Sequence, residues 1–135
     1  MNLCGLISNI HWLPVIVMTL FSFILGALWH QHFLFGKTWL AENKLTDPKS
    51  QLNIPLIFGG TAVLHFLALA ALSAVVSEQG GANGFIVGLL IALVWISSSL
   101  GSTYLFAGRS LKLLAIDAGM YIVLFSVSGW IMGIW

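Results

Sequence analysis

Charge is what this sequence has least of. Five basic and four acidic side chains make up 7% of its 135 residues, against roughly 25% in an ordinary soluble domain. Water is therefore not the main solvent for which the chain is built. A net charge of +1 excludes the broad basic face that a nucleic-acid partner requires. With Cys4 as its single cysteine, the chain can form no internal disulfide and holds no C-x-x-C pair. It also lacks an H-x-x-x-H pair and a glycine-rich phosphate loop, so no metal or nucleotide cofactor is expected.

What is present is apolar and long. Mean hydropathy is +1.02, and no charged side chain occurs from Met1 to Gly36, from Ser50 to Ser77, or from Gln79 to Gly108. Each run exceeds the ~20 residues that cross a bilayer as a helix. A fourth, from Leu111 to Ile134, is interrupted only by Lys112 and Asp117. The pattern predicts an all-α integral membrane protein, a single four-helix transmembrane domain over 1–135. Its spans are expected at about 11–35, 54–77, 84–106 and 111–134, with antiparallel up-down connections. Strands of a membrane barrel would be ~10 residues long and alternate in polarity, which these runs do not. The first run has no basic leader and no A-x-A site, so it reads as a retained span and not as a secretion signal.

The connection from Gly36 to Asn53 carries Lys37, Lys44 and Lys49, and the one from Gly108 to Lys112 carries Arg109 and Lys112. The opposite side, "SEQGGAN" and both tails, has no lysine or arginine. The positive-inside rule then puts both basic connections in the cytoplasm and both termini across the membrane from it. Trp12, Trp130 and Trp135 are expected near the outer boundary, with Trp39 near the inner one. A short interfacial turn of helix is expected around Trp39, Leu40 and Leu45, ahead of Pro48 and Pro55.

Small residues recur at helical spacing. Gly84, Gly88 and Ala92 share a face of the third span, Gly129 and Gly133 of the fourth, and Ser22 and Gly26 of the first. Such stripes let helices approach closely, either within one chain or between chains.

Depth locates the polar residues. At ~1.5 Å of rise per residue, His30, Asp117 and Ser102 lie about 8 to 10 Å to the cytoplasmic side of their span midpoints. Three helices thus bring polar groups to one level. Tyr121 sits one turn from Asp117 on the same face, His65 near the middle of the second span, and Ser98, Ser99 and Thr103 add hydroxyls on the third. His30 continues the Ser22 and Gly26 stripe and should face other helices, whereas His32 is ~200° away, so "HQH" cannot chelate one metal. Asp117 is the most informative: a carboxylate at a span centre costs on the order of 2.5 to 3.5 kcal/mol, more than one interhelical hydrogen bond returns. It must be protonated, pair with His30 or Tyr121, or border water; proximity to the basic boundary lowers that cost.

"LGALWHQHFLFGKTW" at 25–39, "LF" at 105–106, "IDAGMY" at 116–121 and the closing "GWIMGIW" resemble the bacterial domain of unknown function 1761 family, along essentially the whole chain. The resemblance implies four helices and a role for Trp29, Phe35, Gly36, Lys37, Trp39, Asp117 and Tyr121. It implies no reaction, and its pattern carries a tyrosine where this chain has His30.

Three functions compete. The first is binding or conduction of a small solute or proton through Asp117, His30, Tyr121 and His65, with Ser98, Ser102 and Thr103 lining the approach, in a homo-oligomer of the bacterial inner membrane. The second is a non-catalytic accessory subunit whose polar residues fix helix registry against a membrane protein partner. The third is a haem or metal protein using His30, His65 and Asp117, with the least support. An enzyme is not the expected reading.

Overall fold

The computed structural model describes residues 2–43 and 53–135. These form seven α-helices, with no strand among the described residues: α1 (Leu3–Ser8), α2 (Trp12–Trp29), α3 (Gly36–Asn43), α4 (Ile54–Val76), α5 (Gly81–Leu90), α6 (Ser97–Phe106) and α7 (Leu111–Ile134). A π-helical stretch, Ile91–Ile96, joins α5 to α6 without a break. α2, α4, the continuous Gly81–Phe106 rod and α7 are each long and apolar enough to cross a membrane. The chain is thus an all-α, four-span integral membrane protein.

Local chemistry sets the helix ends. Asn53 accepts from the Leu56 N–H at 3.1 Å and Ser110 accepts from that of Leu113 at 3.2 Å, each satisfying a first-turn donor that has no partner inside its helix. Pro14 and Pro55 fall in first turns, where a missing N–H costs nothing. The first span is shorter than its apolar run predicts. It stops at Trp29 and not near Phe35, because residues 31–35 fold back in a tight turn. In that turn, the Gly36 N–H reaches the Gln31 carbonyl at 3.0 Å and the Phe35 N–H the Trp29 carbonyl at 3.3 Å.

The expected interfacial helix is present as α3, whereas Lys44, Leu45, Pro48 and Lys49 lie outside the described residues. α1 has no counterpart in the sequence reading: Asn2 caps it by accepting from the Gly5 N–H at 2.8 Å.

α7 is the hub, touching α2, α3, α4, α5 and α6. Its closest partner is α5, and glycine is why. A Cβ on Gly84 would strike the Gly129 carbonyl oxygen, one on Gly129 the Gly84 carbonyl oxygen, and one on Gly88 that of Phe125. The stripes at 84, 88 and 92 and at 129 and 133 are therefore consumed inside one chain. Val15, Met18, Leu69, Leu72, Val76, Leu124, Phe125 and Met132 fill the remaining core. Of the four spans α7 is the most enclosed, yet only 39% of its most apolar window is buried, and the value falls to 17% for Gly81–Phe106. The outward faces are mostly apolar, as acyl chains require, with exposed hydroxyls on α6.

Candidate functional site

The site is built on Asp117, two turns into α7, and the segment after α2 folds over it. Trp29 begins the cover: its indole N–H donates to the Ile116 carbonyl at 2.9 Å, its ring lies across Gly119, and Phe35 packs on it at 4.8 Å between centroids. Gly36 then has to be glycine. A Cβ there would collide with the His30 carbonyl oxygen, which the returning turn brings against it. With that turn closed, α3 starts in the right place to lower Trp39 onto the acid.

The Asp117 carboxylate accepts from Trp39 Nε1 at 3.0 Å on Oδ1 and from the Tyr104 hydroxyl at 2.5 Å on Oδ2. His30 Nε2 faces Oδ1 from 3.8 Å, within ion-pair range and too far for a direct hydrogen bond. The other ring nitrogen, Nδ1, lies 2.9 Å from the Gly26 carbonyl. A carbonyl only accepts, so Nδ1 carries a hydrogen. A bare Nε2 lone pair against a carboxylate would be repulsive. A further proton, on Nε2 or on the carboxyl, would turn that contact favourable. His30 lies one residue past the end of its span, and its contact with Asp117 holds it above the ordinary histidine value, against partial burial, which pulls it down. The Trp39 ring stands edge-on to His30 at 5.2 Å.

On the other side of His30, a groove of about 360 Å³ opens between α2 and α4, with Met120 of α7 lining it. Phe23, Ile57 and Phe58 make its apolar walls, and His30, Thr61 and His65 supply polar groups. His65 Nδ1 is 2.8 Å from the Ser22 hydroxyl oxygen, and that hydroxyl donates to the Thr19 carbonyl at 2.6 Å.

The residues expected from the sequence divide accordingly. His30 and Asp117 meet, and Trp29, Phe35, Gly36 and Trp39 form the cover. His65 joins His30 at the groove. Tyr121 makes no hydrogen bond to Asp117 but stands edge-on to His65 at 5.9 Å. Ser98, Ser102 and Thr103 are not gathered with these residues within the chain: all three are exposed on α6, and Thr103 turns its hydroxyl back to the Ser99 carbonyl at 3.0 Å. Lys37 and His32 are exposed. Trp39 is not a free headgroup anchor, because its N–H is committed to the acid. Gly26 lies near the Met120 sulfur of α7 and Ser22 against His65 of α4, so the stripe that carries them faces both helices.

Tyr104 is the site residue that sequence reasoning missed. The α6–α7 hairpin turns at Gly108, whose φ is +64°, and residues at similar distances from such a turn stand side by side. A long phenol spans the remaining offset. Counting outward from Gly108 does not pair Tyr104 with Asp117, since they stand four and nine residues from it, so the sequence carried no direct signal for this contact. Arg109, in the same turn, donates to Asn43 at 2.7 Å and covers the Tyr104 ring, fastening the two connections together at one end of the bundle. No group of three histidine, cysteine or acidic side chains placed to hold a metal ion occurs among the described residues.

Four crossing helices around a hydrogen-bonded acid near one end define a small polytopic membrane protein. The chain belongs to the family described as a protein of unknown function, DUF1761, whose model matches residues 13–133. Neither the curated proteins nor the solved structures yield a match.

Proposed function

We propose that this protein binds a small solute together with a proton in the cytoplasmic half of a bacterial inner membrane. The observation that carries this reading is the His30–Asp117 pair, 3.8 Å apart and placed to share a proton, beside an open groove. Binding fits better than conduction by one chain. Beyond His65 the bundle is filled by Val15, Met18, Leu69, Leu72 and Leu124, so a crossing route would require an oligomer. Lys37, Arg109 and Lys112 at the end that holds the acid support this cytoplasmic orientation. The test is a pH titration of histidine side-chain nitrogens by NMR, with the protein in lipid nanodiscs. His30 is expected to titrate at a lower pH in Asp117→Asn than in the wild type. An unchanged midpoint would remove the shared proton and this function with it.

One observation favours an accessory subunit instead. Trp39, Tyr104 and Asp117 tie α3, α6 and α7 together with their polar atoms matched, as a purely mechanical clamp would. Co-purification of a stoichiometric membrane protein, with activity of that complex intact in Asp117→Asn, supports that role.

A further inference from the structure

The groove between α2 and α4 has its own selectivity, which can be read from where one hydrogen sits. The Ser22 hydroxyl has a single proton and donates it to the Thr19 carbonyl at 2.6 Å. The 2.8 Å contact between Ser22 and His65 must then be a donation from His65 Nδ1. No carboxylate faces His65 among the described residues, since Asp117 is engaged by His30, Trp39 and Tyr104. A bare cation at mid-span is costly, so the ring is the neutral Nδ1–H tautomer. Its Nε2 lone pair has no hydrogen-bond partner among the described residues, and this nitrogen is not among the sealed, unpartnered atoms of the bundle. It is an acceptor in a groove whose other lining includes the apolar Phe23, Ile57, Phe58 and Met120 and the polar Thr61 and His30.

We infer that this groove binds a membrane-dissolved molecule with an apolar body and a hydroxyl head, the hydroxyl donating to His65 Nε2. An acceptor-only head, such as an ether or a carboxylate, meets a lone pair at that nitrogen and makes no hydrogen bond to it. The volume of about 360 Å³ suits a single chain and falls near the lower end of the roughly 300 to 1,000 Å³ of small-molecule sites. Ile57 and Phe58 of its own lining are exposed apolar side chains, so the groove opens toward the bilayer. The inference rests on the proposed binding role and names its ligand class.

The experiment follows the ring nitrogens of His65 by NMR in nanodiscs, with 1-dodecanol, dodecyl methyl ether and laurate as probes. Dodecanol is expected to shift the unprotonated Nε2 resonance and saturate, while the ether and laurate leave it in place. His65→Phe is expected to weaken dodecanol binding at least tenfold with helical content unchanged. Ser22→Ala, which keeps the imidazole but releases its tautomer, is expected to weaken it several-fold. An Nε2 shift with ether or laurate equal to that with the alcohol, a protonated Nε2 in the free protein, or wild-type alcohol affinity in both variants would overturn the inference. The His30 titration separates the two readings: a midpoint that moves in Asp117→Asn beside an indifferent groove sinks only the ligand class. Alcohol-selective shifts with an immobile His30 midpoint sink only the shared proton.

Discussion

His30 links the fold to pH. Its value stands above the ordinary 6.5 because of Asp117, so the folded chain holds that proton more tightly than the unfolded chain does. The resulting stabilisation is complete below about pH 6.5, the unfolded value, and is lost as pH rises through the higher folded value. Melting temperatures in detergent should therefore show the largest gap between wild type and His30→Gln near pH 6, closing toward alkaline pH. Trp29 offers a second residue-scale prediction. Trp29→Phe keeps an aromatic ring against Phe35 but loses the bond to the Ile116 carbonyl and part of the ring over Gly119, a cost of about 1 kcal/mol or somewhat more. Trp29→Ala empties the space over Gly119 and should cost about 3 to 5 kcal/mol, read from the same melts. The lone acid in "IDAGMY" was legible in the sequence as a residue needing partners. The identity of those partners was not, because Trp39 and Tyr104 reach Asp117 across 78 and 13 residues of chain and no spacing encodes that.

Among the elements, the α5–α7 contact separates glycines that pack from glycines that do not. Gly84→Ala, Gly88→Ala and Gly129→Ala each drive a Cβ into a facing carbonyl oxygen, and each should cost about 2 kcal/mol or more. Gly59 and Gly60 of α4 meet nothing within 4 Å of an added Cβ, and Ala there should be neutral or stabilise by up to about 1 kcal/mol. Unfolding in mixed detergent measures both. The same contact changes what bulky residues at 84, 88 or 129 would do: they should loosen the chain itself, not merely separate neighbouring copies. Small-residue spacing announced that a close approach exists. It carried no information on the partner helix, since a stripe fits any other stripe of matching period. The π-helical stretch Ile91–Ile96, where the Ser97 N–H reaches back to the Ala92 carbonyl, gave no sign in the hydropathy.

For the whole molecule, orientation is the quantity open to direct measurement, and the chain carries its own label. Cys4 is the only cysteine and is exposed. A membrane-impermeant maleimide is expected to modify it in intact cells; modification only after disruption would invert the topology. Spans, their number and the sidedness of charge follow from the sequence, because transfer of each segment into lipid is a sum over its own residues and hardly depends on what it touches. The turn that ends α2 at Trp29, the glycine-to-carbonyl seam between α5 and α7, and the gathering of His30, Trp39 and Tyr104 around Asp117 were decided by tertiary structure. Each depends on a pairing between distant segments, and in lipid such pairings are selected by shape and by unmet hydrogen bonds, which a run of apolar letters does not record.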